Sequence, residues 1–153
     1  MFIENKQITD VTVSVCREML GVAIEKLNSA SDESQPTDHI ATIQVLGETQ
    51  ILIQVVACQK AANTISSAMF DKEADQLDEA EISDAVCEVV NMIGGNIKGI
   101  LDCECDLTIP CFSREPDTII ADGTESVLFN LADGTLQVIC KEQNTVKSLQ
   151  GVD

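Results

Sequence analysis

The stretch Asp84-Ala85-Val86-Cys87-Glu88-Val89-Val90-Asn91-Met92-Ile93-Gly94-Gly95-Asn96 places three polar residues at helical spacing in an otherwise apolar run. An α-helix turns by about 100° per residue, so Asp84, Glu88 and Asn91 fall within about 60° of one another. Ile82, Val86, Val89, Ile93, Ile97 and Ile100 gather on the opposite side. That side is the one for a core, and the two acids and the amide are left to solvent. Gly94 and Gly95 each cost roughly 1 kcal/mol in a helix relative to alanine, and beside the polar stripe they predict close approach by a partner.

Working outward, Asp78 with Glu81 three residues later resembles a capping box, which starts the helix at about 79 and carries it to about 100. Asp71 to Asp78 is an acidic connection, and the alanine-rich run from Cys58 to Met69 before it reads as a short helix. Ile40 to Leu46 and Ile51 to Val56, joined by Gly47-Glu48-Thr49, read as an antiparallel hairpin. Asn28 to Asp38 is a polar loop. Ile8, Val11, Val15 and Met19, with Cys16 beside them, recur every three or four residues, which predicts a helix over 5–20 with Gly21 as its C-terminal cap. Val22 to Leu27 fits either a continuation of that helix or an extended segment. Beyond the long helix, Glu104 to Pro110 alternates as a strand, and Pro110 and Pro116 bracket a loop. Ser126 to Leu131 and Thr135 to Cys140 flank the hairpin signal Ala132-Asp133-Gly134. The whole predicts one α/β domain of α+β type over 1–141, an antiparallel sheet covered by helices, with a polar tail over 142–153.

The chain's 153 residues, 44% of them hydrophobic, suffice for one sizeable core. With 26 acids against 9 bases the net charge is -17, which repels phosphate backbones and anionic lipid and argues against nucleic-acid or membrane partners. No run approaches the roughly 18 apolar residues of a membrane span, and Met1-Phe2-Ile3-Glu4-Asn5-Lys6 has no basic lead into an apolar segment, so a cytoplasmic location is expected. Seven cysteines without secretory context fit free thiols better than a disulfide framework.

The arrangement Asp84-x3-Glu88-x2-Asn91-Met92-Ile93-Gly94-Gly95-Asn96, led by Leu77-Asp78-Glu79 and followed by a strand ending at Pro110, resembles the CheX-like chemotaxis phosphatases, whose broader family includes CheC and FliY. The similarity extends over an N-terminal helix ending at Leu20-Gly21, a strand pair around Gly47, a helix ending Ala68-Met69-Phe70 and the C-terminal strands. It implies a CheC/CheX-like fold with a long surface-exposed active helix. It also implies a phosphatase that hydrolyses the aspartyl phosphate of a CheY-like response-regulator receiver. By the same similarity Glu88 and Asn91 are the catalytic pair, with Asp84, Gly94 and Gly95 supporting. A second copy of the motif, as in CheC-type members, is not expected, because residues 5–20 hold Glu18 with Gly21 where an Asn would be needed. The resemblance further implies a homodimer, in a family that includes dimers made through sheet edges, and a Mg2+ ion supplied by the receiver, with no cofactor of the chain's own.

The chemistry suits those residue types. An acyl phosphate is already activated, and what it lacks is a water held in line, which a neutral amide such as that of Asn91 can both donate to and accept from. A carboxylate one turn earlier, Glu88, can pair with the receiver's lysine and hold the amide in register. Asp84 fits either a supporting part in that face or a favourable charge in the N-terminal half of the helix. Lys98 lies on the same stripe, where a charge matching the helix C-terminus is preferred over a contact with the partner.

Other constellations say less. Cys103-x-Cys105-x5-Cys111 has metal-like spacing but no suitable fourth ligand, and the single histidine, His39, is distant in sequence and reads as a loop residue. Idle thiols are the preferred reading. Asp102, Glu104 and Asp106 fit the charged outer face of an edge strand or the rim of a dimer seam. No phosphate-cradling glycine loop or Ser-His-Asp set is present, because Gly94-Gly95 lies inside a helix. A receiver- or motor-binding adaptor without hydrolytic activity is the alternative that uses the same exposed helix.

Overall fold

The computed structural model describes residues 3–27, 39–102, 104–114 and 124–143. The polar loop read at Asn28 to Asp38, Cys103, Pro116 and the tail from 144 onward lie outside them. Three helices, α1 (Asn5–Ser14), α2 (Gln59–Phe70) and α3 (Glu79–Leu101), pack on one face of an antiparallel sheet. Its strands are β1 (Ile24–Lys26), β2 (His39–Gly47), β3 (Gln50–Ala57), β4 (Cys105–Leu107), β5 (Cys111–Ser113), β6 (Thr124–Leu131) and β7 (Gly134–Gln143), in the order β1-β6-β7-β3-β2-β4, with β5 also on β2. The fold is mixed α/β with an antiparallel sheet, as the sequence predicts.

Register explains where the core sits. Ala41 faces Val55, which faces Val138, which faces Val127, and Ala57 faces Leu136, which faces Phe129. These rows point to one side of the sheet, since side chains alternate along a strand. Against them lie Ile8, Val11, Val15 and Cys16 from the N-terminal segment, Ala61, Ala62 and Ile65 of α2, and the apolar stripe of α3. On the opposite side Gln54 is buried at 4% exposure, and its amide donates to Thr42 Oγ1 at 3.2 Å.

Several local expectations need correction. The N-terminal helix ends in a π-helical turn over Val15–Met19, and this wider turn carries Met19 off the apolar stripe to 60% exposure. Gly21 does end it, at φ +68°, and the ambiguous segment after it is extended, as β1. His39 is not a loop residue: it opens β2 opposite Ala57, is 2% exposed, and sets its Nε2 2.9 Å from Gln59 Oε1. The strand expected from Glu104 to Pro110 stops at Leu107, and a second short strand, Cys111–Ser113, pairs β2 where a loop was expected. Pro110 lacks the N–H that would carry the ladder across the gap, and Ile109 beside it is 85% exposed. β7 runs to Gln143, opposite Gln50, beyond the point at which composition turns polar. Cys105 is disulfide-bonded, against the free-thiol expectation; redox context says nothing of where two sulfurs come within bonding reach. Cys16, Cys58, Cys87, Cys111 and Cys140 are free.

Candidate functional site

The site is built from the start of α3. Asp78 caps it: its carboxylate accepts from Glu81 N at 2.8 Å, and Glu81 Oε1 accepts from Asp78 N at 3.1 Å. Lys72 Nζ reaches Glu81 at 2.6 Å and holds that carboxyl below the usual range, with the backbone bond from Asp78 adding to the effect. From that anchored end the helix runs 23 residues with Ile82, Ala85, Val86, Val89, Val90, Ile93, Gly94, Ile97 and Leu101 buried. Steps of four advance the buried stripe by about 40° each, so by the last turn it has moved on to Leu101. Ile100, expected in the core, is 40% exposed.

Asp84 and Glu88 are exposed and Asn91 is half-buried at the rim of the same face. Among the described residues none of the three side chains makes a hydrogen bond or ion pair. Asn96 differs: its amide donates to Met92 O at 2.8 Å and is spent on the helix itself. Cys87, beside Glu88, is half-buried, and burial followed by the charge of Asp84 pushes its thiol up.

The two glycines separate. A Cβ on Gly94 would lie 3.2 Å from Ile43 Cγ2 and 3.2 Å from Leu107 Cδ2, so this glycine lets α3 settle on β2 and β4 and does not face a partner. Gly95 has nothing within 4 Å of its Cβ position and lies on the open face with Glu88 and Asn91. Beyond it the face continues into an open groove of about 610 Å³ lined by Glu48, Gly95, Lys98, Gly99, Asp102 and Glu104. Sequence reading missed this groove because Glu48 and Glu104 meet only in the fold, where Glu48 Oε1 accepts from Glu104 N at 3.2 Å.

Among the described residues no group of three or more His, Cys, Asp or Glu side chains could hold a metal ion. No helix among them is long and apolar enough to cross a membrane.

An antiparallel sheet thus backs one helix that offers an acid and an amide, unengaged among the described residues, on its open face. The family model Chemotaxis phosphatase CheX matches residues 39–131, and the chain belongs to that family. Among solved structures it is similar to the chemotaxis protein CheX from Vibrio vulnificus, at 18% identity over 91% of this chain and 95% of that one, with a TM-score of 0.74. It is also similar to the CheX-CheY-BeF3-Mg2+ complex from Borrelia burgdorferi, at 22% identity over 94% of this chain and 100% of that one, with a TM-score of 0.69. FliY from Thermotoga maritima shares the fold at 12% identity, covering 94% of this chain and 88% of that one with a TM-score of 0.60. No curated protein sequence matches.

Proposed function

We propose that the chain dephosphorylates the aspartyl phosphate of a CheY-like receiver, with Asn91 orienting the attacking water and Glu88 docking on the receiver. The observation that carries this reading is the pair itself: two side chains one turn apart, on a helix fixed by nine buried residues, with no partner among the described residues. The Borrelia structure, a CheX with CheY, BeF3 and Mg2+, supports a receiver as the partner of this fold.

The reaction asks little covalent work of the chain. Water oxygen bonds to phosphorus, the acyl P–O bond breaks with its electron pair left on the receiver's aspartate, and inorganic phosphate leaves with the water's protons. Mg2+ and a lysine on the receiver's side neutralise the phosphoryl oxygens as part of the substrate. Asn91, neutral and able both to donate and to accept, fixes the water in line. Glu88, pairing with the receiver's lysine, turns docking energy into orientation. Asp84, one turn before Glu88, extends the acidic rim, and Gly95 leaves room for the receiver's loops. Pairing of two copies of the chain and a cytoplasmic location belong to the same proposal.

The test is phosphate release from a panel of purified receivers charged with a small phosphodonor. Accelerated release from at least one receiver is expected. Binding of phosphorylated receivers without any acceleration would overturn hydrolysis and leave an adaptor.

A further inference from the structure

The exposed stripe of α3 does not end at Asn91. Gly95, Lys98 and Asp102 continue it, and Lys98 is the cation among the residues lining the groove there. It is half-buried, with Gly95 and Gly99 on either side, each with nothing within 4 Å of its Cβ position. Glu48, Asp102 and Glu104 line the same groove, yet the ammonium forms an ion pair with none of them. Glu48 is turned instead onto the backbone N–H of Glu104. In a chain of net charge -17 this lysine sits in acidic surroundings without an ion pair among the described residues.

We infer, on the reading of the chain as a receiver phosphatase, that Lys98 is a specificity-determining contact that pairs with a carboxylate on the receiver beside its phosphorylation pocket. Glu88 and Lys98 carry opposite charges ten positions apart on one stripe, a separation of about 15 Å along the helix. A partner interface of ordinary size covers about 800 Å² on each side, which is broad enough to reach both. A receiver that offers a cation to Glu88 and an anion to Lys98 at that spacing docks in one direction, because the reversed pose sets like charges together. Receivers lacking the anion leave the lysine unmatched, and the three acids of the groove repel carboxylates that approach away from it. The lysine's place near the helix C-terminus, where a cation is favoured anyway, is compatible with this second task.

The experiment takes a receiver found active in the panel and measures kcat and KM for wild-type protein and for Lys98→Arg, Lys98→Gln and Lys98→Glu, each checked for an unchanged melting curve, at two ionic strengths. Lys98→Glu is expected to raise KM about tenfold or more with kcat within about twofold, Lys98→Gln to fall between, and Lys98→Arg to keep the wild-type KM. The salt dependence of kcat/KM should flatten in Lys98→Gln. An unchanged KM in Lys98→Glu, or a fall in kcat alone, overturns the inference. If Asn91→Ala is inactive while every Lys98 variant matches wild type, only this inference falls. If wild type accelerates no receiver, the phosphatase reading falls and takes the inference with it.

Discussion

Gly94 of α3 rests directly on Ile43 of β2, close enough that a Cβ there would approach Ile43 Cγ2 to 3.2 Å, whereas its neighbour Gly95 faces open space. Replacing Gly95 by alanine should stabilise the protein by up to about 1 kcal/mol through helix propensity. The same gain at Gly94 is set against overpacking of about 1–3 kcal/mol. Urea unfolding should therefore show a raised midpoint for Gly95→Ala and an unchanged or lowered one for Gly94→Ala. If a receiver approaches over Gly95, the stabilised variant should also show a raised KM.

Losing the amide should separate catalysis from binding. Asn91→Ala is expected to lower kcat on the order of a hundredfold while affinity for the phosphorylated receiver survives. Glu88→Gln should act chiefly on binding. Both side chains lie outside the core and have no partner among the described residues, so melting temperatures should stay close to wild type. An Asn91→Ala protein that keeps its full rate would remove the assigned role.

The cap of α3 carries a pH signature. Glu81 is held below its ordinary 4.5, first by Lys72 and then by the Asp78 backbone. A carboxyl depressed in the folded state stabilises fully above its unfolded value, and that contribution disappears as pH falls through the folded value. The stability gap between wild type and Glu81→Gln should be constant from about pH 7 to about pH 5 and shrink below that. A gap that widens on acidification would contradict the Lys72 pairing.

At the β6–β7 turn, Gly134 is required for space. A Cβ there would lie 2.7 Å from Ala61 N and 2.9 Å from Cys58 Sγ, where the turn closes on the start of α2. Gly134→Ala should cost about 2–3 kcal/mol, since backbone cannot yield as a flexible side chain can. Ala132, at φ +47°, is where conformation favours glycine, and Ala132→Gly should be neutral or stabilising in the same thermal melts.

Burial pushes the thiols of Cys16 and Cys140 up to about 12 from an ordinary 9.0. The folded state thus favours the neutral thiol, so its stability is intact below the ordinary value and declines as pH rises above it. Alkaline titration should destabilise wild type more than a Cys16→Ala/Cys140→Ala double variant. At about pH 8 a thiol reagent should label exposed Cys111 readily and reach the two buried sulfurs only on unfolding.

What was legible in the sequence is what a few adjacent residues decide. The β2–β3 hairpin follows from alternation around Gly47, the start of α3 from Asp78 and Glu81, and the outward phase of Glu88 and Asn91 from helix geometry alone. What was not legible depends on residues far apart. Cys111–Ser113 becomes a strand only because β2 offers a free edge, and His39 is buried because Ala57 and Gln59 come to meet it. Gly134 looked like a turn glycine and serves close packing against α2, while Gly94 looked like a partner's entry and serves the sheet. The Glu48–Glu104 wall joins residues 56 positions apart, which no periodicity announces.

Because α3 presents its working side chains and its core residues from one cylinder, the two sets share a single rotational phase. Side chains on the solvent half can be exchanged freely, but one residue inserted between Ile82 and Glu88 would swing everything downstream by about 100° relative to the anchored start, setting either the amide or the isoleucines on the wrong side. Descendants of this chain can therefore drift by substitution along the helix far more readily than by changes in its length.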